Sequence, residues 1–135
     1  MATSGYSGTA LIKKLGIQPG MKVFLINAPA DYFELLEDIS KQLIKAKEIP
    51  GFIHLFAKDN AAFKKGMVKV LQVAAMNTNV IIWVSWYKKA SGISTDLTED
   101  MIRNFALQND LVDIKVCAVS EQWSGLKLVV PLAKR

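Results

Sequence analysis

Three strand-sized apolar runs, KVFLIN (22–27), FIHLFA (52–57) and NVIIWVSW (79–86), constrain this chain most. They are too continuously apolar for a sheet with one wet face. Strands of that kind suit a parallel sheet covered on both sides by helices. The stretches between them carry helical rather than strand periodicity, and strand and helix alternate three times before the chain ends in a hairpin. The pattern predicts an α/β fold in three layers, a Rossmann-like, mostly parallel sheet of about five strands with a terminal antiparallel hairpin.

The segments can be placed from their punctuation. Residues 1–8 are small and polar and read as a flexible arm. A short helix over 9–15 is closed by Gly16, and Pro19-Gly20 turns the chain into the first strand. Asp31 begins a helix running to about Ala46. Asp31 and Glu34 have capping-box spacing, acids fill its first half, lysines its second, and Tyr32, Leu36, Ile39 and Leu43 share a face. Pro50-Gly51 breaks the chain. Asp59 or Asn60 caps a helix to about Met76 with Phe63, Met67, Val70, Leu71 and Ala74 as its apolar stripe. Thr98 caps the next helix, with Leu97 and Ile102 as a hydrophobic staple, and Asn109 ends it. Residues 111–119 form the fourth strand, EQWSG a turn, and 126–130 the last strand. No repeat or linker interrupts residues 1–135, so one domain is expected.

Composition narrows the functional classes. At 135 residues, 51% hydrophobic and 21% charged, the chain has the balance of a globular domain. No apolar run approaches the roughly 20 residues that span a bilayer, and MATSGYSGTA lacks a signal-peptide pattern. The one cysteine, Cys117, has no partner for an internal disulfide. These features predict a cytoplasmic protein without membrane contact. The net charge is +5, yet arginine occurs only at Arg103 and Arg135 among the 17 basic residues, and the lysines are scattered. That distribution describes a solvated surface and argues against nucleic-acid binding.

The segment LGIQPGMKVFLINAP resembles the start of a Rossmann-type S-adenosylmethionine-dependent methyltransferase, and residues 98–130 are similar to the end of that fold. The resemblance implies a last strand slotted between the two before it, hence a sheet order of first, second, third, fifth, fourth. It also implies that the enzyme's second and third strands are missing. YSGTALIKKLGIQPG, INAPADY, SWYKKASGISTDLTED and VCAVSEQWSGLKLVV look like recurring segments of a bacterial family of small proteins built on a domain of unknown function. The chain departs from that pattern at Ala10, Tyr87 and Ser94, where proline is expected. The family carries no activity or catalytic residue over to this chain.

The methyltransferase's cofactor site is not preserved. A glycine-rich turn after the first strand lets a ligand approach the backbone at a helix N-terminus. Here Ala28, Pro29 and Ala30 put side chains in that place, Pro29 removes an N–H, and Asp31 brings its own carboxylate. The corner is expected to leave no room for an adenosyl group, and no cofactor is expected. There is no phosphate loop and no nucleophile elbow. One histidine, His54, and one cysteine make no His/Cys metal site, and His54 is expected to pack near a strand end with one hydrogen bond.

The loop SWYKKASGISTD leaves the carboxyl end of the third strand, the edge where open α/β sheets bind ligands. Trp86, Lys88, Lys89, Ser91, Thr95 and Asp96, with Asn27 and Asp31 on the same edge, are the candidate ligand-binding residues. The same serines, threonine and aspartate are also what a helix start needs for itself. Trp123 reads as packing against the sheet edge. Three functions stay open: a non-catalytic methyltransferase-like domain binding a small anionic ligand or a protein partner; an enzyme on an anionic substrate using the 85–100 loop and His54; and, less favoured by charge, a nucleic-acid binder.

Overall fold

The computed structural model of the chain describes residues 10–32, 39, 42–43 and 48–135, so the expected arm at 1–8 lies outside the described residues. In chain order the elements are α1 (Leu11–Leu15), β1 (Val23–Ile26), β2 (Phe52–Phe56), α2 (Asn60–Met76), β3 (Ile81–Tyr87), α3 (Glu99–Gln108), β4 (Val112–Ala118) and β5 (Trp123–Val129). They build a five-stranded sheet of order β1-β2-β3-β5-β4, the order the resemblance implies. β1, β2 and β3 run parallel, while β5 is antiparallel to both β3 and β4.

Alternation along the strands sorts side chains onto two faces. Ile53, Leu55, Ile82, Val84, Leu126 and Leu128 meet α2 and α3 through Phe63, Met67, Ile102 and Ala106. On the other face Phe52, Phe56, Trp83 and Trp123 gather with Leu11 and Leu15 of α1. The indole Nε1 of Trp83 donates to the Leu15 carbonyl at 2.8 Å, which ties α1 to the middle of the sheet. Gly16, at φ 85°, closes α1 in the left-handed conformation that a side chain would strain.

Both later helices start as their sequences require. The Asp59 carboxylate accepts from the Ala62 N–H, and Thr98 Oγ1 accepts from the Met101 N–H. α2 comes so close to β2 that a Cβ on Gly66 would stand 2.3 Å from a methyl of Leu55.

Three expectations need correction. The helix from Asp31 does not reach Ala46: Ile39 is not helical, Gln42 lies in a 3₁₀ turn, and Leu43 forms an isolated parallel bridge with Val23. Its capping box lies outside the described residues, as Glu34 does. The Gln42 amide donates to the carbonyls of Gln18 and Met21, so this segment borders the outer side of β1, where a helix would leave the strand's polar groups unmet. The last strand also starts at Trp123, three residues before the expected Leu126. Gly125 does not turn the chain; it faces Ser85 across the sheet, where a Cβ would meet Val119 at 3.0 Å and Trp83 at 3.1 Å. The reversal lies just upstream, where Ser120 Oγ accepts from the N–H groups of Gln122 and Trp123. Finally, β1 is less covered than its VFLI run suggests. Only Val23 is buried, and Phe24, Leu25 and Ile26 are half-buried.

Candidate functional site

Parallel strands present their carboxyl ends on one edge, and the start of the antiparallel β5 joins them there. Asn27, Phe56, Tyr87 and Trp123 meet at that edge. Asn27 leaves β1 at φ 57°, a left-handed conformation that asparagine tolerates better than most residues. Trp123 stacks on Tyr87 with ring centroids 4.2 Å apart and meets Phe56 edge-on at 5.1 Å. These rings form one end of a cleft of about 740 Å³ that runs between α2 and the half-buried face of β1. Phe24 and Ile26 line its length, with Ala62 and Gly66 opposite.

Lys58, just past β2, and Lys65 and Lys69, four apart on α2, line it, and among the described residues no carboxylate does. The Lys69 ammonium stands 5.4 Å from the centre of the Phe24 ring. At the corner after β1, Asn27 and Pro29 border the cleft, and Asn27 and Ala30 are exposed. Of the turn's Ala28, Pro29 and Ala30, Pro29 lines the cleft.

A second cleft, of about 930 Å³, lies under the loop after β3. Trp86, Lys88, Lys89 and Thr95 line it, as do Glu99 and Asp100, whose carboxylates pair with Arg103. Of the remaining loop candidates, Ser91 donates to the Lys88 carbonyl and accepts from the Ile93 N–H. Thr95 donates to the Lys58 carbonyl and accepts from the Leu97 N–H. Asp96 accepts from the Asn60 N–H at 2.8 Å, adding a second carboxylate at the start of α2. Asp31 is exposed and lines neither cleft. The structure thus divides the eight candidates: Asn27 borders the first cleft, four line the second, and Ser91, Asp31 and Asp96 line neither.

His54 is not near a strand end. It sits mid-β2 with no exposed surface and has two partners, the Tyr32 hydroxyl at Nδ1 (2.9 Å) and the Ser85 hydroxyl at Nε2 (2.7 Å). The ring also stacks on Phe56 at 4.2 Å. Burial pulls its pKa down to about 3 and pushes that of Tyr32 up, so both are neutral. The Cys117 thiol is half-buried, and burial raises its pKa above the ordinary value despite nearby Lys14, Lys115 and Lys88. Among the described residues no three His, Cys, Asp or Glu side chains come together as a metal site needs, and no helix is long and apolar enough to cross a membrane.

Sequence reasoning missed Phe24, Lys58, Lys65 and Lys69. The signal was present in part: Lys65 and Lys69 fall on one side of the helix's apolar stripe, around a glycine that a helix interior disfavours. What the spacing did not carry is that they would face the half-buried Phe24 and Ile26 of β1 across a cleft.

No protein-family model and no curated protein sequence matches the chain. Among solved structures it is similar to an uncharacterized protein from Listeria monocytogenes serotype 4b, with a TM-score of 0.56 and 9% identity over 92% of this chain and 68% of that one. It also aligns with a protein in the NADB-Rossmann superfamily from Streptococcus agalactiae, with a TM-score of 0.46 and 10% identity over 96% and 71%. At such identities the first likeness concerns the fold alone: this chain is a mixed α/β protein of Rossmann-like architecture.

Proposed function

We propose that the chain is a non-catalytic, methyltransferase-like domain that binds a small organic anion in the cleft between β1 and α2. The observation that carries this reading is the described lining: Lys58 and Lys65, with no carboxylate among the described residues, and an apolar wall at the ligand-binding edge of the sheet. The methyltransferase-like part rests on the β1-β2-β3-β5-β4 order with β5 reversed. The non-catalytic part rests on the state of the nucleophiles and bases. The one histidine and its serine are sealed in the core, and burial keeps the one thiol protonated.

Amide chemical-shift mapping with a panel of small organic carboxylates and phosphates tests the proposal. Shifts are expected at Asn27, Lys58, Ala62 and Lys65 and to vanish in a Lys58→Ala/Lys65→Ala variant. Shifts confined to residues 88–100 would move the function to the second cleft, and turnover of any of these anions would end the non-catalytic reading.

A further inference from the structure

We infer that the second cleft, under the loop after β3, is a binding site for a small monocarboxylate with a short apolar body, separate from the anion site proposed between β1 and α2. The observation that carries it is Trp86. This residue is 8% exposed, yet among the described residues its indole Nε1 donates to no acceptor. The nitrogen is not sealed in the core, because no fully buried side-chain nitrogen or oxygen of the described residues lacks a partner. Trp86 lines this cleft and not the one between β1 and α2, so its remaining open surface and its free N–H belong to this space. Trp83, three residues earlier on the same strand, shows the contrast: its indole donates to the Leu15 carbonyl at 2.8 Å.

Other donors line the same cleft. The Thr98 hydroxyl and carbonyl accept from the N–H groups of Met101 and Ile102, which leaves those of Glu99 and Asp100 without a helical acceptor. Lys88 and Lys89 form no ion pair among the described residues. The roof is held in place by the protein itself. The Lys88 N–H donates to the Gln122 carbonyl, Ser91 bridges Lys88 and Ile93, and Thr95 holds the Lys58 carbonyl. A ligand entering here therefore has little loop to order.

These groups define the ligand. Indole and backbone N–H groups only donate, so they call for an oxygen acceptor. A carboxylate supplies two such oxygens, and the charge of Lys88 and Lys89 strengthens its hold. Glu99 and Asp100 belong to the same lining, so a second negative charge on the ligand would meet like charge. Trp86, Ile93 and Leu97 give the cleft an apolar wall for the body of the ligand.

Titration with butyrate, butyramide and inorganic phosphate at matched ionic strength, followed by amide and indole N–H chemical shifts, tests the inference. Butyrate is expected to move the Trp86 indole N–H and the Glu99 and Asp100 amides saturably, and to leave the Trp83 indole in place. Butyramide and inorganic phosphate are expected to bind more weakly. Lys88→Ala/Lys89→Ala is expected to weaken butyrate roughly tenfold, the effect of one charge-assisted hydrogen bond. Trp86→Phe, which keeps a ring but no donor, is expected to weaken it as read at the Asp100 amide; where that variant folds poorly, the exposed lysine pair carries the test. Butyramide binding as tightly as butyrate would overturn the carboxylate, and phosphate binding more tightly would overturn the single charge. Loss of the Trp86 shift in Lys58→Ala/Lys65→Ala would overturn a separate site and leave the proposed function standing. A Trp86 indole unmoved by butyrate would overturn the inference, whatever the residues of the first cleft show.

Discussion

The Nε2 atom of His54 lies 2.7 Å from the Ser85 hydroxyl, in the middle of the sheet, and neither residue has any exposed surface. The pair has the distance of a nucleophile and its base, but no substrate reaches it. β5 lies beside β3 in the sheet with Gly125 paired to Ser85, where a Cβ would crowd Val119, Trp83 and the Ser85 hydroxyl. In a neutral imidazole one nitrogen donates and the other accepts, so one of the Tyr32 and Ser85 hydroxyls donates into the ring and the other accepts from it. Tyr32 thereby fastens the chain after β1 to β2, and Ser85 fastens β2 to β3.

The burial of His54 makes stability depend on pH. His54 binds a proton near pH 6.5 when unfolded and only near about pH 3 when folded. Between those values the unfolded state holds more protons, so stability falls as pH falls through 6.5 and goes on falling to about 3. The limiting slope is about 1.4 kcal/mol per pH unit. Urea unfolding of wild type and His54→Gln at pH 7, 6, 5 and 4 measures it. The variant is expected to be less stable at pH 7 and to lose stability more slowly on acidification. Parallel curves would show that His54 is not the group responsible.

Gly66→Ala is expected to destabilise the protein, although alanine is ordinarily better than glycine inside a helix by about 0.5–1 kcal/mol. The new methyl would stand 2.3 Å from one Leu55 methyl and 2.9 Å from the other, and Leu55 is fully buried. Overpacking of this kind costs about 1–3 kcal/mol. Denaturant titration of the single variant and of Gly66→Ala/Leu55→Val checks it, because the smaller side chain is expected to absorb part of the loss. A stabilised Gly66→Ala would mean that α2 lies further from β2 than described.

The same glycine shows what was legible in the sequence. Apolar runs and caps placed β2, α2 and α3 almost to the residue: Asp59 and Thr98 cap as their positions demand. These features are local, and local spacing reports them. The reach of the helix from Asp31 was overextended because a helical pattern of apolar residues does not say that Leu43 will lie beside Val23. EQWSG was misread because serine and glycine mark turns, whereas here Gly125 answers to Trp83 and Val119 across the sheet. The site followed the same rule. The loop of hydroxyls and lysines was visible, but the cleft depends on how α2 packs beside Phe24 and Ile26, which is a property of tertiary structure.

Asp96 and Thr95 were candidates for a ligand, and their geometry gives them a different task. The Asp96 carboxylate holds the Asn60 N–H, and the Thr95 hydroxyl holds the Lys58 carbonyl, so the loop after β3 is clamped to the start of α2 at two adjacent points. Asp96→Ala is expected to cost about 0.5–2 kcal/mol, the range for a lost helix cap. Thr95→Val is expected to cost about 0.5–1.5 kcal/mol, the range for one hydrogen bond. Because both groups fix the same loop, the double variant is expected to lose less than the sum of the two. Denaturant midpoints give the energies, and amide hydrogen exchange gives the location. The Asn60 amide is expected to exchange faster in Asp96→Ala, and the Leu97 amide, which donates to Thr95, in Thr95→Val. Unchanged stability and exchange in both variants would release these two residues from the clamp and make them available again to bind a ligand.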